Sequence, residues 1–149
     1  MKETWTATVR QETESSTDMT DDEFILRFED CHLESFHHRD HVRMAFLYLA
    51  RYPVLEAIQR FSSALVRFAA AKGKPGLYHE TITWAFLFLI RERLARGGER
   101  QAWSEFAASN ADLMSWEENI LKKYYRDETL QSDLARSTFV FPDRISTSY

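Results

Sequence analysis

A single cysteine, Cys31, is all the thiol chemistry available to this chain. An intrachain disulfide and a multi-thiolate zinc site within one chain are therefore excluded. Four glycines and three prolines in 149 residues leave few breakpoints, which favours long helices over many short strands. There is no long basic run, and the net charge is only −4, so nothing points to a nucleic-acid surface. The most apolar stretch, 82–90, is too short to span a bilayer, and residues 1–19 lack the apolar centre of a signal peptide. These absences predict a cytoplasmic protein with no nucleic-acid and no membrane partner. A complete catalytic signature is missing as well.

What is present is a globular composition, 44% hydrophobic and 14% aromatic, in a chain long enough for one domain with a real core. Residues 1–19, polar and rich in Thr, Ser and Glu, are expected to form a flexible arm, with 20–149 as a single helical domain. The run Thr20-Asp21-Asp22-Glu23 has the form of a capping box. It predicts a helix to about residue 33, with Phe24, Phe28 and Cys31 on one face.

A second helix is expected over about 38–52, where His38, His41, Val42, Ala45, Tyr48, Leu49 and Tyr52 make a helical stripe. His37 and Asp40 fall off that stripe. Pro53 suits the start of a third helix, over about 54–72, with Leu55, Ile58, Phe61, Ser62, Leu65, Phe68 and Ala69 inward. Gly73 is the expected left-handed cap, and Lys74-Pro75-Gly76 a tight turn.

A fourth helix, about 77–95, is apolar nearly all round between 82 and 90 and is expected to be the central buried one. It puts His79, Thr83, Phe86 and Ile90 on one face. A shorter helix over 99–107, anchored by Trp103 and Phe106, is predicted next. A sixth, over 111–125, would be capped by Ser109 or Asn110 with Leu113, Trp116, Ile120 and Tyr124 inward. One more turn at 132–136 and an apolar extended tail at 139–142 complete the reading. The expected fold is all-α: a single irregular bundle of about six helices.

Short connections make neighbouring helices antiparallel, so helices 2 and 4 should begin at the same end of the bundle. That brings His38 and His41 towards His79, and it predicts an end pocket there. One chemistry for the pocket is a divalent transition metal, zinc, iron or copper, on His38, His41 and His79. Glu80 would then be the general base or a further ligand, with Asp40 assisting. Arg43, Lys74, Tyr78 and Thr83 are the candidate substrate-binding residues. The corresponding function is a small metal-dependent hydrolase or oxygenase acting on a small polar molecule, with room for a homodimer. Two alternatives stand beside it. One is metal-free His/Glu acid–base chemistry or anion binding, with Arg39, Arg43 or Lys74 as the cation. The other is a non-catalytic helical interaction module, its histidines satisfied by backbone groups.

The stretches Phe36-His37-His38-Arg39-Asp40-His41 and Tyr78-His79-Glu80-Thr81-Ile82-Thr83 resemble those of small bacterial helical proteins to which no function is attached, over about residues 24–144. In outline, the inferred site also resembles the three-histidine metal bundles of the DinB-like family. Those proteins place a lone histidine before an HxxxH pair, whereas here the paired histidines come first, so the resemblance transfers no residue roles.

Overall fold

Thr20 opens the first helix, α1 (Asp21–Glu29), by accepting a hydrogen bond from the Glu23 N–H at 3.2 Å. The computed structural model to which this helix belongs describes residues 19–98 and 100–144. All but the last residue of the predicted arm lies outside them. The remaining α-helices are α2 (His38–Arg51), α3 (Val54–Ala71), α4 (Glu80–Gly97), α5 (Trp103–Ser109), α6 (Asp127–Leu130) and α7 (Asp133–Ser137). Short 3-10 turns lie at Pro75–Leu77, Ala111–Leu113 and Ile120–Lys123, and the described residues contain no strand. The chain is all-α, as its few glycines and prolines predict. None of these helices is long and apolar enough to cross a membrane.

α1 ends at Glu29, four residues before its expected limit, and Cys31 explains why. Its φ of 61° is left-handed. The Cys31 N–H reaches the Phe28 carbonyl at 3.1 Å, and the His32 N–H reaches that of Arg27 at 2.7 Å. These are the two bonds of a Schellman cap, so Cys31 terminates α1 instead of continuing its apolar face. α3 closes in the same way at its expected glycine. Gly73 has φ 75°, and the Lys74 N–H bonds the Ala69 carbonyl at 2.9 Å.

Hydrophobic burial orders the helices around one core. α3 buries Ala57, Ile58, Phe61, Ala64, Leu65, Phe68 and Ala69, a stripe of three- and four-residue steps. Leu55, expected inside, is 78% exposed; its position leads into the helix one step off that stripe. α2 is buried at every position from Val42 to Leu49, so it, and not α4, is the central helix. α4 instead keeps Phe88 exposed and Trp84 half-buried. The extended tail covers that outer face: Phe139 stacks on Trp84 at 5.9 Å and meets Phe88 edge-on at 5.7 Å. Thr81 fixes the tail's register by donating to the Thr138 carbonyl (2.8 Å) and accepting from the Val140 N–H (3.1 Å).

The predicted sixth helix does not form. Its span is divided between 3-10 turns and loops because polar side chains take over the backbone groups a helix would pair. Asn119 donates to the Trp116 carbonyl and accepts from the Leu121 N–H, and Ser115 accepts from the Glu118 N–H. With the helical phase lost, Tyr125 goes inside (1% exposed) and bonds the Val140 carbonyl at 2.7 Å, while Tyr124 is 38% exposed.

Candidate functional site

Two of the predicted ligands turn out to be helix-start residues. His79 is the N-cap of α4: its Nδ1 accepts the Ile82 N–H at 3.1 Å. On the other side of the ring, Nε2 lies 2.6 Å from the Leu130 carbonyl at the end of α6. A carbonyl only accepts, so Nε2 carries the proton and Nδ1 the lone pair. Both ring nitrogens are thereby committed to backbone. This also corrects the register, since His79 precedes α4 and does not lie on its face.

His38 is the first residue of α2. Its Nε2–H donates to the Leu113 carbonyl at 2.9 Å, across 75 residues of sequence. The ring stands edge-on to Phe86 at 4.9 Å and tilted against Trp116 at 5.4 Å. Burial lowers its basicity, an effect partly offset by the Leu113 carbonyl. His41, one turn further on, packs its ring 4.3 Å from that of Phe36. Burial, and secondarily the neighbouring His38, hold its pKa well below the usual histidine value. Both imidazoles are therefore neutral near pH 7.

These rings border a cavity of about 70 Å³ between α2, α3 and α4, several times the roughly 10–15 Å³ needed to hold one water. His38, His41, Val42 and Ala45 face it from α2, Phe61 and Leu65 from α3, and Ile82, Thr83 and Phe86 from α4. Leu77, His79 and Trp116 close it from the connecting segments. No Asp, Glu, Lys or Arg is among these twelve residues.

Of the sequence-predicted residues, His38, His41, His79 and Thr83 thus share one cavity, and five others serve elsewhere. Asp40 accepts the His37 N–H at 3.0 Å, the third-position carboxylate of a helix N-terminus. Glu80 accepts from the Tyr78 hydroxyl; burial first, and then this carboxylate, raise the Tyr78 pKa. Arg43 spans from α2 to α1, donating to Asp21 (2.9 Å) and the Met19 carbonyl (3.2 Å) with its guanidinium over the Phe24 ring. Lys74 belongs to the cap of α3.

The metal expectation can be weighed against this donor set. His79 has no lone pair left for an ion, and His38 spends one nitrogen on Leu113. Among the described residues, no group of three or more His, Cys, Asp or Glu side chains is placed to hold a metal. The residues present do not fit one in this arrangement.

No family model, curated protein or solved structure matches the chain. Six of the eight apolar cavity residues, Val42, Ala45, Phe61, Leu65, Phe86 and Trp116, carried a signal in the sequence. Each was assigned to an inward stripe, and the cavity forms where the stripes of α2, α3 and α4 fail to close.

Proposed function

We propose that this chain binds a small, uncharged organic molecule in the cavity between α2, α3 and α4. The supporting observation is the lining. Eight of its twelve residues are apolar, and the polar remainder is three histidines and Thr83, with no carboxylate, ammonium or guanidinium group to pair with a charge. Burying an ion there would cost several kcal/mol, with no counter-charge to offset it. A neutral molecule instead gains the apolar contacts, while a few polar groups fix its orientation, the usual division of labour in ligand pockets. Anion binding finds no support, because Arg43 faces Asp21 and Lys74 does not line the cavity.

The test is ligand-observed NMR with single-ring and short-chain neutral compounds, on the wild-type protein and on Ala45→Leu, which fills the cavity from α2. Binding to the wild type, with a melting temperature that rises with ligand concentration, and loss of both in a folded Ala45→Leu, is the expected outcome. If no compound binds, or if the variant binds equally well, the cavity is a packing defect and not a site.

A further inference from the structure

The cavity walls carry more information than their polarity, and this step rests on the ligand-binding reading above. Six of the twelve lining residues bear rings: His38, His41, Phe61, His79, Phe86 and Trp116. His38 already meets Phe86 at 67° and Trp116 at 49°, with centroids 4.9 and 5.4 Å apart. These are the edge-on and tilted geometries that aromatic rings prefer, at separations of roughly 4.5–7 Å. A flat ring entering the cavity would continue this pattern; a saturated ring or a branched alkyl group would forfeit it.

One hydroxyl interrupts the apolar part of the wall. Thr83 lines the cavity one turn into α4, and it is 9% exposed. Among the described residues no side-chain hydrogen bond engages its hydroxyl, and its backbone N–H is held by the His79 carbonyl. A hydroxyl that lines an open volume is a ready partner for a guest. Because a hydroxyl both donates and accepts, it suits a phenol-like O–H or a heteroaromatic N–H equally.

The geometry points to a small planar aromatic ligand bearing a single hydrogen-bonding group on its edge, with Thr83 as the residue that reads that group. The ring walls select the flat shape and Thr83 selects the substituent. A benzene-like ring without the group leaves the hydroxyl unpaired, and an aliphatic alcohol lacks the ring.

Phenol, benzene and cyclohexanol separate these requirements, with dissociation constants measured by NMR titration of the full chain. The expected order on the wild-type protein is phenol tightest, with benzene and cyclohexanol both weaker. Thr83→Val removes the hydroxyl at constant shape. It should weaken phenol roughly three- to tenfold, the worth of one neutral hydrogen bond, while leaving benzene unchanged or slightly tighter. Thr83→Ser, which restores a hydroxyl, should restore phenol binding. If cyclohexanol binds as tightly as phenol, the ring walls do not select. If Thr83→Val leaves phenol unaffected, Thr83 does not read the substituent. Either result overturns this inference while leaving the cavity a binding site, whereas failure of all three probes overturns both.

Discussion

Replacing His79 with alanine should cost the fold about 2–4 kcal/mol, and the sum can be built from its two bonds. The Nδ1 acceptor for the Ile82 N–H is the N-cap of α4, and loss of such a cap costs about 1 kcal/mol. The Nε2–H bond to the Leu130 carbonyl contributes about 0.5–1.5 kcal/mol, with a further penalty for any carbonyl left buried and unpaired. Loss of the ring's packing at a site only 7% exposed adds the rest. For a chain of this size, each kcal/mol moves the melting temperature by about 2–4 °C. His79→Asn separates the two bonds, because asparagine is a strong N-cap but is too short to span from α4 to α6. It should recover about 1 kcal/mol of the alanine loss. The assay is urea unfolding followed by helical circular dichroism, run with and without a chelator. Chelator should change none of the differences, because the role argued for His79 is structural. If His79→Ala unfolds within about 0.5 kcal/mol of the wild type, the range of ordinary surface substitutions, or if asparagine does no better than alanine, the capping argument fails.

Two further outcomes follow from the same geometry. Burial holds the folded pKa values of His38 and His41 below the usual histidine value, so only well above pH 6.5 are both states neutral and stability flat. As pH falls through 6.5 the unfolded chain takes up protons that the folded one refuses. Stability should then decline by up to about 1.4 kcal/mol per pH unit for each histidine until the folded groups titrate. Urea midpoints between pH 7.5 and 5 should show this, with a shallower slope in His41→Leu; a flat profile, or an unchanged slope in the variant, refutes it. Cys31→Gly should stabilise the fold by about 1 kcal/mol, since a left-handed residue with a Cβ is strained where glycine is not. A thermal melt no higher than that of the wild type would contradict this.

Much of this arrangement was legible from residue spacing, and the failures have a common physical origin. Stripes of three- and four-residue steps placed α1 to α4, the Gly73 cap and the convergence of His38, His41 and His79 on one end of the bundle. Periodicity does not register competition for backbone groups, however. Asn119 and Ser115 sit in a run that counts as helical by apolar spacing, yet their side chains capture the bonds a helix needs. Cys31 counts as an apolar helix-face residue until its φ shows it to be a cap. The burial order of α2 and α4 was likewise inverted. Apolarity all round a helix says that it can be buried, and it was the tail carrying Phe139 that covered the outer face of α4.

The histidines show why a ligand-like spacing is ambiguous at a helix start. A neutral imidazole offers one donor and one acceptor, and a helix N-terminus supplies unpaired N–H groups within reach. His79 takes one of these and gives its proton to the Leu130 carbonyl; His38 gives its proton to that of Leu113. The two carbonyls belong to the segment where no long helix forms, so the histidines tie that segment across the beginnings of α2 and α4. Trp116 lies between the two tethered residues, and this tethering is what turns it into a cavity wall. The site therefore depends on His38 and His79 as neutral donors to backbone. The chemistry left facing a guest is that of ring faces, the Thr83 hydroxyl and the imidazoles of His38 and His41, and a ligand that engaged His79 would have to break its tether before it could bind.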